Sequence, residues 1–158
     1  IPIFIVLKSL NDFEFLDNRL IDFIYHEIRS HHLDLEKQYF EVTLNAGRYT
    51  IIFDGLDEVN PSKRSWLDRE IKEFVTLYNE NRYVLSSRPS EEFIGWNQFI
   101  EYEISKMDKV QALALINKLK YDEKVKKRFH KELNGHLYET HKSFASIPLL
   151  LTIMLMTY

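Results

Sequence analysis

Three carboxylates stand within five residues at the end of an apolar run, where Ile51-Ile52-Phe53 leads into Asp54-Gly55-Leu56-Asp57-Glu58. A strand ending in Asp54 sets a carboxylate at the carboxyl edge of a parallel sheet, where open α/β proteins bind ligands. Acids this close to a buried strand are costly unless a cation or a bound phosphate uses them. Magnesium suits such a place, because it takes one or two carboxylates and completes its shell with phosphate oxygens and water. The plainer reading is a strand followed by an acidic turn, since Asp-Gly is a common turn pair. A second apolar run, Tyr83-Val84-Leu85, ends in Ser86-Ser87-Arg88-Pro89. One crossover helix separates the two runs, so their ends are expected side by side. Arg88, a cation for phosphate, would then face Asp54, a carboxylate for metal. Arg88 also has a simpler use as an ion-pair partner of Asp57 or Glu58.

The elements that must position these residues follow from periodicity. Short apolar runs alternate with helical stretches, which is the pattern of a parallel α/β sheet. Residues 3–7 read as the first strand. Leu16, Leu20, Phe23, Ile24 and Ile28 then mark one amphipathic helix, and Leu35, Tyr39, Val42 and Leu44 a second, stopped by Gly47. Residues 49–53 form the second strand. Asn60-Pro61-Ser62 opens a helix with proline in its first turn, and Trp66, Leu67, Ile71, Phe74, Val75 and Tyr78 supply its apolar face. Residues 83–85 are the third strand. Residues 99–104 alternate apolar and acidic side chains, as an edge strand would. Strand signals stop there. Asp108 starts a helix carrying Val110, Leu113, Ala114 and Leu119, and Asp122 starts another carrying Val125, Phe129 and Leu133, ended by Asn134-Gly135. A last, buried helix follows Pro148. An α/β part thus gives way to an all-helical part near Met107.

Composition narrows the function classes. The 158 residues are 45% hydrophobic and 28% charged, within the range of one globular domain. A net charge of -3 and a pI near 6.1 give no electrostatic reason to expect nucleic acid or an anionic membrane as partner. There is no cysteine, which excludes disulfides and thiolate chemistry and fits a reducing cytosol. The apolar stretches at 1–7 and 147–158 are too short to span a bilayer, and both ends read as cut from something longer. His26, His31, His32, His130, His136 and His141 complete no known ligand spacing and read as solvated. Lys124, Lys126, Lys127, Arg128 and Lys131 read as the polar face of one helix. Trp66 reads as a core anchor, and Trp96 as a candidate exposed interface residue.

Taken together, the motifs resemble a known family. Asp-Gly-Leu-Asp-Glu at 54–58 looks like the Walker B signature of the NACHT family, within the STAND class of P-loop NTPases. Ser-Ser-Arg-Pro at 86–89 resembles that family's sensor 1. Ile147-Pro148-Leu149-Leu150-Leu151 resembles its proline motif, and residues 2–7 its second core strand. The resemblance covers essentially the whole chain in order. It implies a parallel P-loop NTPase-type sheet with flanking helices over 1–106, then a small all-helical subdomain over 107–158.

The resemblance also implies roles. Asp54 would hold Mg2+, while Asp57 and Glu58 would orient or activate the hydrolytic water. Arg88, with Ser87 beside it, would meet the γ-phosphate of ATP and report its loss in ADP. Pro148 would pack on the adenine. The implied protein is a cytoplasmic switch and slow ATPase of innate-immune or anti-phage signalling. It would form homo-oligomers when activated, with sensor and effector domains outside this segment. A nucleotide-independent interaction scaffold derived from a degenerate NTPase is the rival reading, and the cost of keeping buried charges argues against it. One motif is missing. No glycine among 47, 55, 95 and 135 precedes a Lys-Ser or Lys-Thr pair, so the phosphate-binding loop Gly-x-x-x-x-Gly-Lys-Ser/Thr is absent. In the family that loop's strand lies between the strand ending at Ser87 and the edge strand expected at 99–104.

Overall fold

In a computed structural model of the chain, residues 1–13, 19–30, 35–89, 93 and 95–158 are described. They fall into two compact units, Ile1–Glu101 and Tyr102–Tyr158. The sequence reading sets this change at 106/107.

The first unit is α/β. Strand β1 (Pro2–Val6) is followed by a 3-10 turn (Leu7–Asn11), α1 (Leu20–Ser30), α2 (Lys37–Asn45) and β2 (Thr50–Asp54). A second 3-10 turn (Leu56–Glu58), α3 (Pro61–Leu77) and β3 (Arg82–Leu85) complete it. The strands form a three-stranded parallel sheet in the order β1-β2-β3. Because the order runs one way, right-handed crossovers put every connecting helix on one face. Burial agrees: Ile5, Ile51 and Phe53 lie in a core with Phe23 and Ile24 of α1, Phe40 of α2 and Leu67 and Ile71 of α3. The register sets Phe4, Ile52 and Val84 in a row on the opposite face. There Phe4 and Val84 are more than half exposed. The strands are therefore buried on one face only.

The buried Asn81 ties the ends of three elements together. Its Oδ1 accepts the Tyr49 N–H at 3.0 Å, and its Nδ2 donates to Leu44 O at 2.7 Å and Tyr78 O at 3.0 Å. Nearby, Gly47 reverses the chain between α2 and β2 with φ +66, and a Cβ there would come within 2.7 Å of Glu80 O. Glycine is required at that turn. Burial pushes the Tyr83 phenol on β3 up to about 12, and its hydroxyl donates to Tyr78 O at 2.8 Å.

Several expectations are corrected. On α2 the buried residues are Phe40 and Leu44, while Tyr39 and Val42 face solvent, because the helix lies with Phe40 against Tyr25 and Tyr49. Residues 99–104 form no strand; Ile100, Tyr102 and Ile104 are at least 80% exposed, and no neighbouring strand offers them a hydrogen-bonding edge among the described residues. Trp96 is buried, ringed by Phe93, Phe99 and Lys72, and is not an exposed interface residue. Leu16, His31 and His32 lie outside the described residues.

The second unit is helical, with α4 (Lys109–Lys118), α5 (Glu123–Glu132), α6 (Tyr138–Thr140), α7 (Lys142–Ala145) and α8 (Pro148–Met156). Asp108 and Gln111 form a reciprocal capping box, and Asp122 caps α5 through the Lys124 and Val125 amides. The core is Ala112, Ile116, Phe129, Leu133, Tyr138, Ala145, Leu151 and Leu155. Here too the sequence reading missed the face of α4, since Val110 is 74% exposed. Asn134-Gly135 does not end α5: a π-helical turn, Leu133–Leu137, carries the chain into α6. Lys126 leaves the expected polar face and is buried, donating to Asn117 O at 3.2 Å and Glu123 Oε1 at 3.1 Å. On α8 only Leu151 and Leu155 are buried, and Leu149 and Met156 are exposed, so this helix is not the wholly buried one expected. No helix among the described residues is long and apolar enough to cross a membrane.

Replacing Asn81 by Ala leaves the buried Tyr49 amide without its acceptor, while Leu44 O keeps the Gly47 N–H and Tyr78 O keeps the Tyr83 hydroxyl. Leaving buried polar groups unsatisfied costs about 1–3 kcal/mol. Asn81→Ala is expected to lower unfolding free energy by at least that much in urea titration, and a loss below the error of the measurement would remove this clasp from the account.

Candidate functional site

The site is built on the pairing of β2 with β3. Their ladder continues past both strands: Ser86 N–H donates to Phe53 O at 2.9 Å, and Leu56 N–H donates to Ser86 O at 3.0 Å. This fixes residues 86–88 beside the acidic turn. The Ser86 hydroxyl donates to Asp54 Oδ1 and accepts the Gly55 N–H at 3.0 Å. Gly55 has φ +77, the left-handed conformation that lets the chain turn sharply out of β2.

The other two acids each meet a cation from a different side. Asp57 Oδ1 accepts the Arg88 N–H at 3.1 Å, and its Oδ2 lies 3.3 Å from Arg88 Nε. Glu58 pairs with Lys8, on the turn after β1, at 3.7 Å. These are surface groups: the Asp57 side chain is 27% exposed, that of Glu58 50% and that of Arg88 86%. The sequence reading counted the acids as buried charges, costly to keep unless used. Exposed ions carry little desolvation cost, so that argument against a scaffold does not apply. The structure does bring Asp54, Asp57, Ser87 and Arg88 to neighbouring strand ends, and it gives Arg88 the simpler ion-pair role as well. The Ser87 Oγ is shielded from solvent and makes no hydrogen bond among the described residues.

The backbone of the acidic turn is held by Asn11 and Arg64, and the neighbouring turn after β1 by Lys63, three residues that carry no motif. Asn11 Nδ2 donates to Glu58 O at 2.9 Å, and Asn11 Oδ1 accepts the Asn60 N–H at 2.8 Å. Lys63, in the first turn of α3, donates from Nζ to Leu10 O and Asn11 O at 2.9 Å and to Phe13 O at 3.0 Å. Arg64 donates to Leu56 O at 2.9 Å while pairing with Asp68 at 2.8 Å. Sequence reasoning passed over all three. A polar residue just beyond the end of β1 could have pointed to Asn11, since carboxyl strand ends gather at the ligand edge. Lys63 and Arg64 gave no signal apart from ordinary helix surface.

Pro148 is the first residue of α8 in the second unit and is exposed. His26, His136 and His141 are exposed and His130 is half-buried. Among the described residues, no three or more His, Asp or Glu side chains converge as a metal cage.

Asn11→Ala removes both bridges across the acidic turn. Each lost hydrogen bond contributes about 0.5–1.5 kcal/mol, so the expected outcome is a modest loss of stability together with faster amide exchange at Asn60. Unchanged exchange at Asn60 would show that Asn11 does not hold the turn.

No protein-family model matches the chain, and no curated protein matches it significantly.

Proposed function

We propose that this chain is the magnesium and γ-phosphate half of a NACHT-type, STAND-class P-loop NTPase switch, working with ATP and ADP. The observation that carries the reading is the junction of parallel β2 and β3, which sets Asp54 and Ser86 in contact and Asp57 and Arg88 in contact. A carboxylate, two hydroxyls and a guanidinium at adjacent carboxyl strand ends are the parts that phosphoryl transfer needs, because that reaction relies on positioning and charge stabilisation rather than a protein nucleophile.

The donor set fits magnesium in one way only. One carboxylate oxygen of Asp54 is engaged by Ser86, and the other has no protein partner among the described residues. A single carboxylate with a neighbouring hydroxyl suits an ion that keeps most of its water and borrows phosphate oxygens. Bound there, the ion would neutralise developing phosphate charge. Asp54 would orient its water shell, Asp57 or Glu58 would position the attacking water, and Arg88 and Ser87 would face the terminal phosphate. The outer edge of β3, which pairs with no strand among the described residues, supports the same reading, since the phosphate-loop strand of that family lies beside this strand. Nucleotide-dependent oligomerisation, a signalling role in defence and a cytoplasmic setting belong to the proposal as well.

Two results are expected. Without backbone amides and a lysine to cradle phosphates, the 158-residue chain should bind Mg-ATP no better than about 1 mM; micromolar binding by calorimetry would move the nucleotide site elsewhere. In a chain that also carries a phosphate-binding loop, Arg88→Ala should narrow the preference for ATP over ADP by about tenfold or more, the value of one hydrogen bond to a charged group. An unchanged ATP-to-ADP affinity ratio would remove Arg88 from the γ-phosphate. In the same chain Asp54→Asn should abolish most magnesium-dependent hydrolysis while leaving the fold intact.

A further inference from the structure

We infer that the Asp57–Arg88 pair is an autoinhibitory latch, in which the carboxylate holds the guanidinium through Nε and weakens its capture of phosphate until an anion displaces it. The inference rests on the proposed reading of Arg88 as a phosphate contact. Its geometry is particular to these two residues. Asp57 uses one oxygen on the Arg88 main-chain N–H and the other on Nε, so a single carboxylate holds both the loop and the base of the side chain. The other acids of the turn are occupied elsewhere, Asp54 by Ser86 and Glu58 by Lys8. Asp57 is therefore the acid that competes with an incoming anion for Arg88. Carboxylate and phosphate seek the same guanidinium geometry, so a phosphate that takes Arg88 through Nε must displace Asp57, and one held by the Nη donors alone forgoes that contact.

The strength of the latch follows from exposure. The Arg88 side chain is 86% exposed, and pairs of this kind are weak, so releasing it should tighten anion binding by only about two- to fivefold. A weak latch suits a resting state that ligand must be able to open.

The substitution that opens it is Asp57→Asn. An asparagine oxygen can still accept the Arg88 N–H, so the loop stays in place while the charge pairing is lost. Glu58→Gln is the control, since it removes the same charge one residue away without touching Arg88. The probe is inorganic triphosphate, titrated into the 158-residue chain and followed by the NMR signal of the Arg88 Nε–H and by neighbouring amides. The expected result is tighter binding in Asp57→Asn than in either wild type or Glu58→Gln, with the gain lost in Asp57→Asn/Arg88→Ala. No gain in Asp57→Asn, or an equal gain in Glu58→Gln, overturns the latch and leaves the proposed function standing. A gain that survives in the double variant overturns the assignment of Arg88 to phosphate, and the latch falls with it.

Discussion

The parallel pairing of β2 with β3 is the constraint on which the rest of the site depends. It spans four residue pairs, and continues through Ser86 N–H to Phe53 O and Leu56 N–H to Ser86 O. In a parallel ladder both strands finish at the same edge, so any chemistry placed just past each strand must meet there. An antiparallel arrangement of the same segments would have sent Asp54 and Arg88 to opposite ends. The crossover helix α3 is what enforces the parallel choice, because seventeen residues of helix return the chain to the starting edge.

Around that junction the molecule divides its labour between backbone and side chain. The acidic turn is anchored through its amides and carbonyls, by Ser86, Asn11 and Arg64. Its three carboxylates are met by a hydroxyl and by two exposed cations. Hydrogen bonds to the backbone fix the path of the turn at about 0.5–1.5 kcal/mol each, whereas exposed ion pairs contribute about 0–1 kcal/mol and are screened by salt. The turn is consequently fixed in place while its charges remain free to change partners.

The legible parts of the sequence were those where a local rule sets the outcome. Asn60-Pro61, Asp108 and Asp122 each begin a helix where the chain indicates, because a cap depends on three or four consecutive residues. The strands were legible because β-branched runs have few other uses. The faces of α2 and α4 were not, since Tyr39 and Val110 satisfy helical spacing as well as Phe40 and Ala112 do, and only the surrounding helices decide between them. Residues 99–104 show the same limit: alternation describes a strand's two faces but says nothing about whether a neighbour's edge is there to pair with. Gly135 misled for a different reason, because it sits at a negative-φ position inside a π turn rather than at a left-handed cap. At the site, Asp54, Asp57 and Arg88 were readable from residue type, while Asn11 was not, since its partners lie forty-seven and forty-nine residues away.

The one-sided burial of the sheet carries the argument a step further. Three strands connected by helices on one face leave Phe4, Ile52 and Val84 aligned on the other, with β3 unpaired at its outer edge among the described residues. Polar alternation would have been the inexpensive sequence for a face left to water, as in many antiparallel sheets. These three positions are apolar instead, and Phe4 and Val84 remain more than half exposed. Exposed phenylalanine and valine in a row gain nothing in solvent, and an unpaired apolar edge is a liability that folds ordinarily blunt with charge or proline. Each outer strand carries one such device at its start, Pro2 on β1 and Arg82 on β3, and apolar residues through the rest of its length. The edge of β3 is the one beside which the proposed phosphate half of the site would have to stand, and an apolar face left in water there is a surface such a partner would cover.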